Sequence, residues 1–410
     1  MAIANAPIHI HPPLHHPPYF TMSFQPPSTQ GKPFVPDWIP PPATKTEQDW
    51  AQLHTIELSL LDSPDPKVVQ DLVELAKVAI KEDGFLYLKD YGVSYDQLMR
   101  QFSIAQYLHA NISEADKAKL LWDPETGLFE GYKAPYGWKR ERARPDGISQ
   151  FNFYTPEFED HNKVPECILP FMDEITAFCE YLTKQVNRRL LTLLSKVLEL
   201  PDDYLWNNVQ SQGGPVAEGY FRHALFRPPP KETRELSGGL RMNGHTDYGT
   251  TTQLFSVPIS CLQIWGRDEK WHYVKYEPGA LVINIGETLE ILSGGHFKAT
   301  RHRVFEPPSD QLEEERLSLV LFNASMGHLR MTPCMESPLL KREGCVSSQG
   351  VFKEFQTVMA SGISVPTNKQ WREAQIASMR DTTVPQKEVE INGKKHSVRE
   401  FFGVKVLLPV

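Results

Sequence analysis

The chain has 410 residues, 40% of them hydrophobic and 23% charged, the composition of a soluble globular protein with enough apolar side chains for a large core. Its 43 basic and 51 acidic side chains leave a formal charge of −8 with Lys and Arg scattered, which excludes a basic stripe for nucleic acid or an anionic membrane surface. Five cysteines form no CxxC pair, no apolar run approaches the roughly 20 residues of a membrane span, and no charged-then-apolar leader opens the chain, so a cytoplasmic protein without a disulfide framework is expected.

Residues 1–48 are dense in proline and read as a flexible or loosely draped arm; His9, His11, His15 and His16 within it suit a polar tract better than a metal site. A strand is predicted at TIELSLLD, then a helix over 66–82 with proline at its start, a strand in DGFLYLKDYGV, and further helix over 94–121. The stretch 123–157 is rich in Gly, Pro, aromatics and cations without a period, as in a binding lid or a solvated insertion. Leu, Phe and Val at helical spacing predict a long scaffold helix over 168–199.

Short strands follow, near 216–227, 248–256, 261–265, 272–276, 280–285, 300–306 and 316–323, a spacing that suggests a sandwich or barrel. Helix returns over 350–381, and 382–410 reads as an irregular tail with a hairpin at EINGKKHS. The expected division is an arm (1–48), a mainly helical N-terminal region (49–200), a β core (201–335) and a C-terminal extension (336–410).

In GHTDYGTTTQLF, His245 and Asp247 stand two apart at the head of a strand-like run, where side chains share a face and can meet one cation. Later histidines that could join them are His272, His296, His302 and His328. In ATRHRVFEP, alternation sets His302 opposite Arg301 and Arg303; if the arginines face solvent, His302 faces in, which makes it the strongest choice. Two imidazoles and one carboxylate leave coordination positions open, as non-haem Fe(II) requires. Zinc can use the same residues, although a structural zinc site wants four closed ligands, usually with thiolates.

In EERLSLVLFN, Arg316 and Ser318 share a strand face with Val320 and Phe322. A buried guanidinium needs a counter-charge. A bound carboxylate would supply one; Glu313, Glu314 or Glu315 at the strand mouth are the alternative.

With these residues in place, the chain from about 54 to 335 resembles the Fe(II)/2-oxoglutarate-dependent dioxygenases of the isopenicillin N synthase-like group. The resemblance rests on DGFLYLKDYGV, on HTDYGTTTQLF, on LQIWGRDEKWHYVKYEPGALVINIGETLEILSGGHFKATRHRV, and on Arg316-Leu317-Ser318 as the group's RxS. It implies an α+β fold with a double-stranded β-helix (jelly roll) core and flanking helices. It further implies Fe(II) on His245, Asp247 and His302, and 2-oxoglutarate held through its distal carboxylate by Arg316 and Ser318. The resemblance likewise implies O2 as the oxidant and ascorbate as the in vitro reductant.

The group's Asn-Tyr-Tyr-Pro segment, one tyrosine of which helps to bind the co-substrate, is replaced here by a stretch with Phe226 and Arg227. Glu287 stands where Asp is usual and Ala299 where Ser is. An acidic stretch with Asp310 and Glu313 to Glu315 lengthens the link between His302 and Arg316. The expected activity is hydroxylation, desaturation or cyclisation of a small specialised metabolite, with release of succinate and CO2. An oxidase of the same fold that uses no 2-oxoglutarate and a non-catalytic binding protein are the rivals. Tyr132, Tyr136, Trp138, Phe151 and Phe153 give the 131–154 region aromatic weight, and Tyr132, Phe151 and Phe153 are the candidate substrate contacts, with plain packing as the alternative.

Overall fold

The computed structural model describes residues 23–123, 126–135, 147–154, 158–210, 219–346, 350–378, 387–391 and 394–409. Tyr136, Trp138 and the four N-terminal histidines lie outside them.

Local chemistry sets the helix starts. Asp65 accepts from the backbone N–H of Lys67 with Pro66 in the first turn, opening the helix Pro66–Glu82. Ser94 and Gln97 form a capping box for Tyr95–Asn111. The scaffold helix is segmented: a 3-10 turn (Glu166–Phe171) precedes α-helix from Met172 to Tyr181, a π stretch spans Leu182–Asn187, and α-helix resumes over Arg188–Val197. Pro170, which lacks an N–H, lies in the 3-10 turn, so α geometry starts only after it.

The barrel strands are β1 (Thr55–Glu57), β2 (Phe85–Lys89), β3 (Gly131–Lys133), β4 (Ile148–Phe153), β5 (Tyr220–Phe226), β6 (Leu240–His245), β7 (Thr251–Phe255), β8 (Leu262–Trp265), β9 (Trp271–Tyr273), β10 (Leu281–Ile285), β11 (His302–Phe305) and β12 (Arg316–Phe322). An eight-stranded sheet, β1-β2-β10-β7-β12-β5-β4-β3, faces a four-stranded one, β6-β11-β8-β9. Side chains from both sheets meet between them: Phe85 and Tyr87 with Leu262 and Ile264, and Ala224 and Phe226 with Cys261 and Val304. This is the jelly roll.

The register assigns the two faces of the large sheet. Lys133 pairs with Gln150, Gln150 with Ala224, and Ala224 with Ser318, so one lateral row looks toward the small sheet. The alternate residues Phe151, Phe153, Phe221, Leu317, Leu319 and Leu321 look outward into a core shared with Phe102 and Phe178 of the helices. That core spans both the 49–200 and the 201–335 segments.

Three expectations change. Residues 23–48, expected to be part of a flexible or loosely draped arm, are seated firmly on the fold: Phe24 and Val35 are buried, and Trp38 stacks on Phe102 at 4.4 Å. The acidic stretch before Arg316 helps to hold them, because Asp310 accepts from the Thr44 hydroxyl (2.7 Å) and the Lys45 N–H (2.8 Å). Proline-rich composition underestimates such a segment because a few large side chains anchor it. The 123–157 stretch contains β3 and β4. The C-terminal tail forms a three-stranded meander, β13 (Lys387–Ile391), β14 (Lys394–Phe401) and β15 (Val404–Pro409). Trp371, Phe355 and Val404 share a second cluster with Ile291 and Met331.

Candidate metal centre

His245 closes β6, and Asp247 lies beyond it in the link to β7. The two therefore converge through the shape of the link rather than by sharing a strand face. Between the register pairs His302–His245 and Val304–Met242, β6 spends three steps against two on β11, a bulge that re-aims its end. His245 and His302 are then direct cross-strand neighbours, with ring centroids 4.3 Å apart. One ligand atom from each of His245, Asp247 and His302 lies within 4.8 Å of the others, and no other such group occurs among the described residues.

Each Nε2 is 3.8 Å from Asp247 Oδ1, a span that two ligands each about 2.1 Å from one cation can bridge. The Nδ1 atoms face backbone carbonyls, His245 toward Asn243 O (2.9 Å) and His302 toward Thr300 O (3.2 Å). A carbonyl only accepts, so Nδ1 carries the proton and Nε2 presents its lone pair to the common point. Asp247 Oδ2 accepts from the Thr252 hydroxyl (2.6 Å) and the Asn284 amide (2.9 Å), which leaves Oδ1 toward the histidines. Burial opposes ionisation of Asp247, but positive charge on the His302 and His245 rings when they are protonated, together with these two hydrogen bonds, outweighs it and holds the carboxyl below its usual range. The donor set fits a divalent cation bound on one side.

The other histidines stand elsewhere. His272 binds Asp49 and Asp268, His296 faces Gly344 O at 2.9 Å, and His328 is exposed. Arg303 is not simply solvent-facing: its guanidinium lies over the Trp271 ring at 4.4 Å.

A second layer holds the link. Glu287 accepts from the Thr246 hydroxyl (2.5 Å), the Trp371 indole N–H (2.7 Å) and the Gln375 amide (3.0 Å), and its own N–H donates to Asp247 O at 2.7 Å. Burial pushes its carboxyl up to about 8. The sequence reading missed Thr252, Asn284 and Trp371 and noted Glu287 only as a departure. A signal existed for Asn284, the one polar residue of LVINI, a strand that otherwise packs apolar side chains; Thr252 stands among the polar Thr251 and Gln253 and carried none.

Arg316 and Ser318 are buried on the inward face, at 5% and 1% exposure. Among the described residues no carboxylate lies within ion-pairing distance of Arg316. Glu315 pairs instead with Arg227 and Glu313 with Arg234. The Arg316 guanidinium lies over the Phe226 ring at 5.2 Å, and its Nε has no partner.

The candidate substrate contacts do not line this interior. Phe151 and Phe153 are fully buried on the outward face, 4.7 Å apart, and Tyr132, paired with Phe151, packs into the same helix-covered core. The inward positions of β3, β4 and β5 carry Lys133, Gln150, Asn152 and Arg222. Arg222 donates to Asn152 Oδ1 at 2.7 Å and sits over the Phe322 and Tyr220 rings at 5.0 and 5.1 Å. The strand ISQFNF was readable as an alternation, but in this barrel the apolar side meets helices and the polar side meets the site.

Comparison with known proteins gives matches over both halves. Residues 221–325 match the model of the 2OG-Fe(II) oxygenase superfamily, and residues 53–170 match the N-terminal model of the non-haem dioxygenases of morphine synthesis. Jasmonate-induced oxygenase 3 of Arabidopsis thaliana is 27% identical over 77% of this chain and 81% of its own length. Codeine O-demethylase of Papaver somniferum is 26% identical over 70% and 78%. Among solved structures, a full-length Neurospora crassa protein in complex with alpha-KG superposes with a TM-score of 0.65 at 19% identity, over 83% of this chain and all of that one. JOX2 in complex with 2OG, Fe and JA gives 0.58 at 21%, over 82% and 90%. These structural likenesses bear on the fold.

Proposed function

The chain belongs to the Fe(II)/2-oxoglutarate-dependent oxygenases of the isopenicillin N synthase-like group, and from that premise we propose that His245, Asp247 and His302 hold its iron and that Arg316 and Ser318 receive the distal carboxylate of 2-oxoglutarate. The observation that carries this reading is the pairing of three converging ligand atoms with a buried inward-facing guanidinium that no carboxylate neutralises. Bound Fe(II) supplies the chemistry in which O2 and the keto acid yield succinate and CO2 while the second oxygen atom, or its oxidising equivalent, goes to a C–H group of the substrate.

The protein's own residues do the positioning. Thr252 and Asn284 orient the Asp247 carboxylate, the two carbonyls fix the histidine tautomers, and Glu287 braces the link. Aromatic side chains around Arg222 and the polar inward row support a small molecule with an apolar or aromatic body bearing an oxygen function, a specialised metabolite in class. The names of the Arabidopsis and Papaver relatives agree with that class. Five unpaired cysteines support a cytoplasmic setting.

The test is succinate formation with Fe(II), ascorbate and 2-oxoglutarate, combined with a metabolite screen for gain of one oxygen or loss of two hydrogens. Wild type should turn over and His245→Ala should not. Equal background in both, or oxygen uptake indifferent to the keto acid, rejects the reading.

A further inference from the structure

The end of the barrel beyond Ser318 holds a second guanidinium that no motif announced. Arg241 sits at the irregular start of β6: Leu240 pairs with Phe305 and Met242 with Val304, and Arg241 between them has no register partner. Its Nε, NH1 and NH2 are all buried and none has a hydrogen-bond partner. The side chain lines a pocket together with Ile148, Phe226 and Arg227, and Phe226 is also the ring beneath the Arg316 guanidinium. Phe226 thus neighbours both arginines, whose charges are within electrostatic reach of each other. Among the described residues no carboxylate lies within 4.0 Å of either; Glu306, whose charge reaches Arg241, makes no ion pair with it.

Two buried like charges without a counter-ion are costly, and an anion accepting from both removes that cost. Phe226 offers no donor to such an anion. We propose that Arg241 is a second anchor for the distal carboxylate of 2-oxoglutarate, gripping it together with Arg316 and Ser318. This rests on the oxygenase reading and adds a residue to it. Arg241 acts in binding, with no contact to the reacting atoms.

The experiment uses the full chain loaded anaerobically with Mn(II), titrated calorimetrically with 2-oxoglutarate and separately with pyruvate, which keeps the 2-oxo acid end and lacks the second carboxylate. Arg241→Met should weaken 2-oxoglutarate by about tenfold to a hundredfold, the loss of charge-assisted hydrogen bonds, with metal affinity and the pyruvate response unchanged. Because the variant removes an unpaired buried charge, its metal-free melting temperature should not fall. Glu306→Gln should bind 2-oxoglutarate as wild type does. An Arg241→Met affinity within about twofold of wild type overturns the proposal, as does an equal loss for metal and pyruvate, or a lowered melting temperature reproduced by Glu306→Gln. If wild type itself bound no 2-oxoglutarate, the oxygenase reading would fall with it, whereas an unaffected variant beside a binding wild type defeats this inference alone.

Discussion

The Glu287 carboxyl group, directly against the link that carries Asp247, is held by the indole N–H of Trp371 at 2.7 Å, across 84 positions of sequence. Trp371 is fully buried on the helix Asn368–Ser378, and Asn368 of the same helix donates to the Thr288 hydroxyl at 2.7 Å, which donates in turn to Tyr248 O at 2.7 Å. The C-terminal extension is therefore part of the support for the metal centre.

Replacing Trp371 with Phe keeps an aromatic ring and deletes one donor to a buried carboxyl group. Loss of such a bond costs about 1–3 kcal/mol. The expected result is a lower melting temperature together with metal affinity weakened several-fold. Unchanged Mn(II) binding in the variant would show that the extension does not brace the site.

Asn284→Ala removes one of the two hydrogen bonds that orient Asp247 Oδ2. Outer-layer partners of metal ligands are typically worth about tenfold to a hundredfold in affinity. Calorimetric titration should show a loss of that size with the fold intact by circular dichroism, and Thr252→Val should show a comparable one.

Glu290 is buried, its oxygens accepting from the N–H groups of Ala299 (2.9 Å) and Phe352 (3.2 Å). Burial, only partly offset by these bonds, pushes its carboxyl from 4.5 up to about 7. The folded state then keeps a proton that the unfolded chain has released, so this group makes stability fall as pH rises from 4.5 to about 7 and level off above. Glu290→Gln removes that slope and adds only a pH-independent offset. Denaturant melts across the window should show the variant gaining on wild type as pH rises; parallel curves would refute the assignment.

Phe153 and Lys133 lie on opposite faces of the large sheet, and their substitutions should separate accordingly. Phe153→Ala opens a cavity in the helix-covered core and should cost about 3–5 kcal/mol of stability with little change in which metabolite is accepted. Lys133→Met should leave stability nearly unaltered and lower kcat/KM for the native substrate by roughly tenfold or more. The reverse pattern would reassign the two faces.

Much of the chain was legible from its text. Helical spacing and an initial proline predicted 66–82, and the helix runs Pro66–Glu82. Strands were expected near all the later barrel positions except β6, whose LRMNGH alternates only over Leu240 to Asn243, too short a run to announce a strand. The spacing of His245, Asp247 and His302 named three residues that the fold brings within 4.8 Å. The predicted means was wrong, however, since a bulge and a bent link do what strand alternation was expected to do.

By itself the sequence determined which stretches are periodic and which side chains have metal-binding or carboxylate-binding chemistry. Those are properties of neighbours along the chain. Only the tertiary structure decided what each face meets. It turned the aromatic side of β4 toward helices and the polar side toward the site, seated residues 23–48 on the core, set Trp371 against Glu287, and left Arg241 and Arg316 buried without carboxylates. The physical reason is that burial and pairing depend on groups far apart in the text, and a polar face reads the same whether it borders solvent or a reaction chamber.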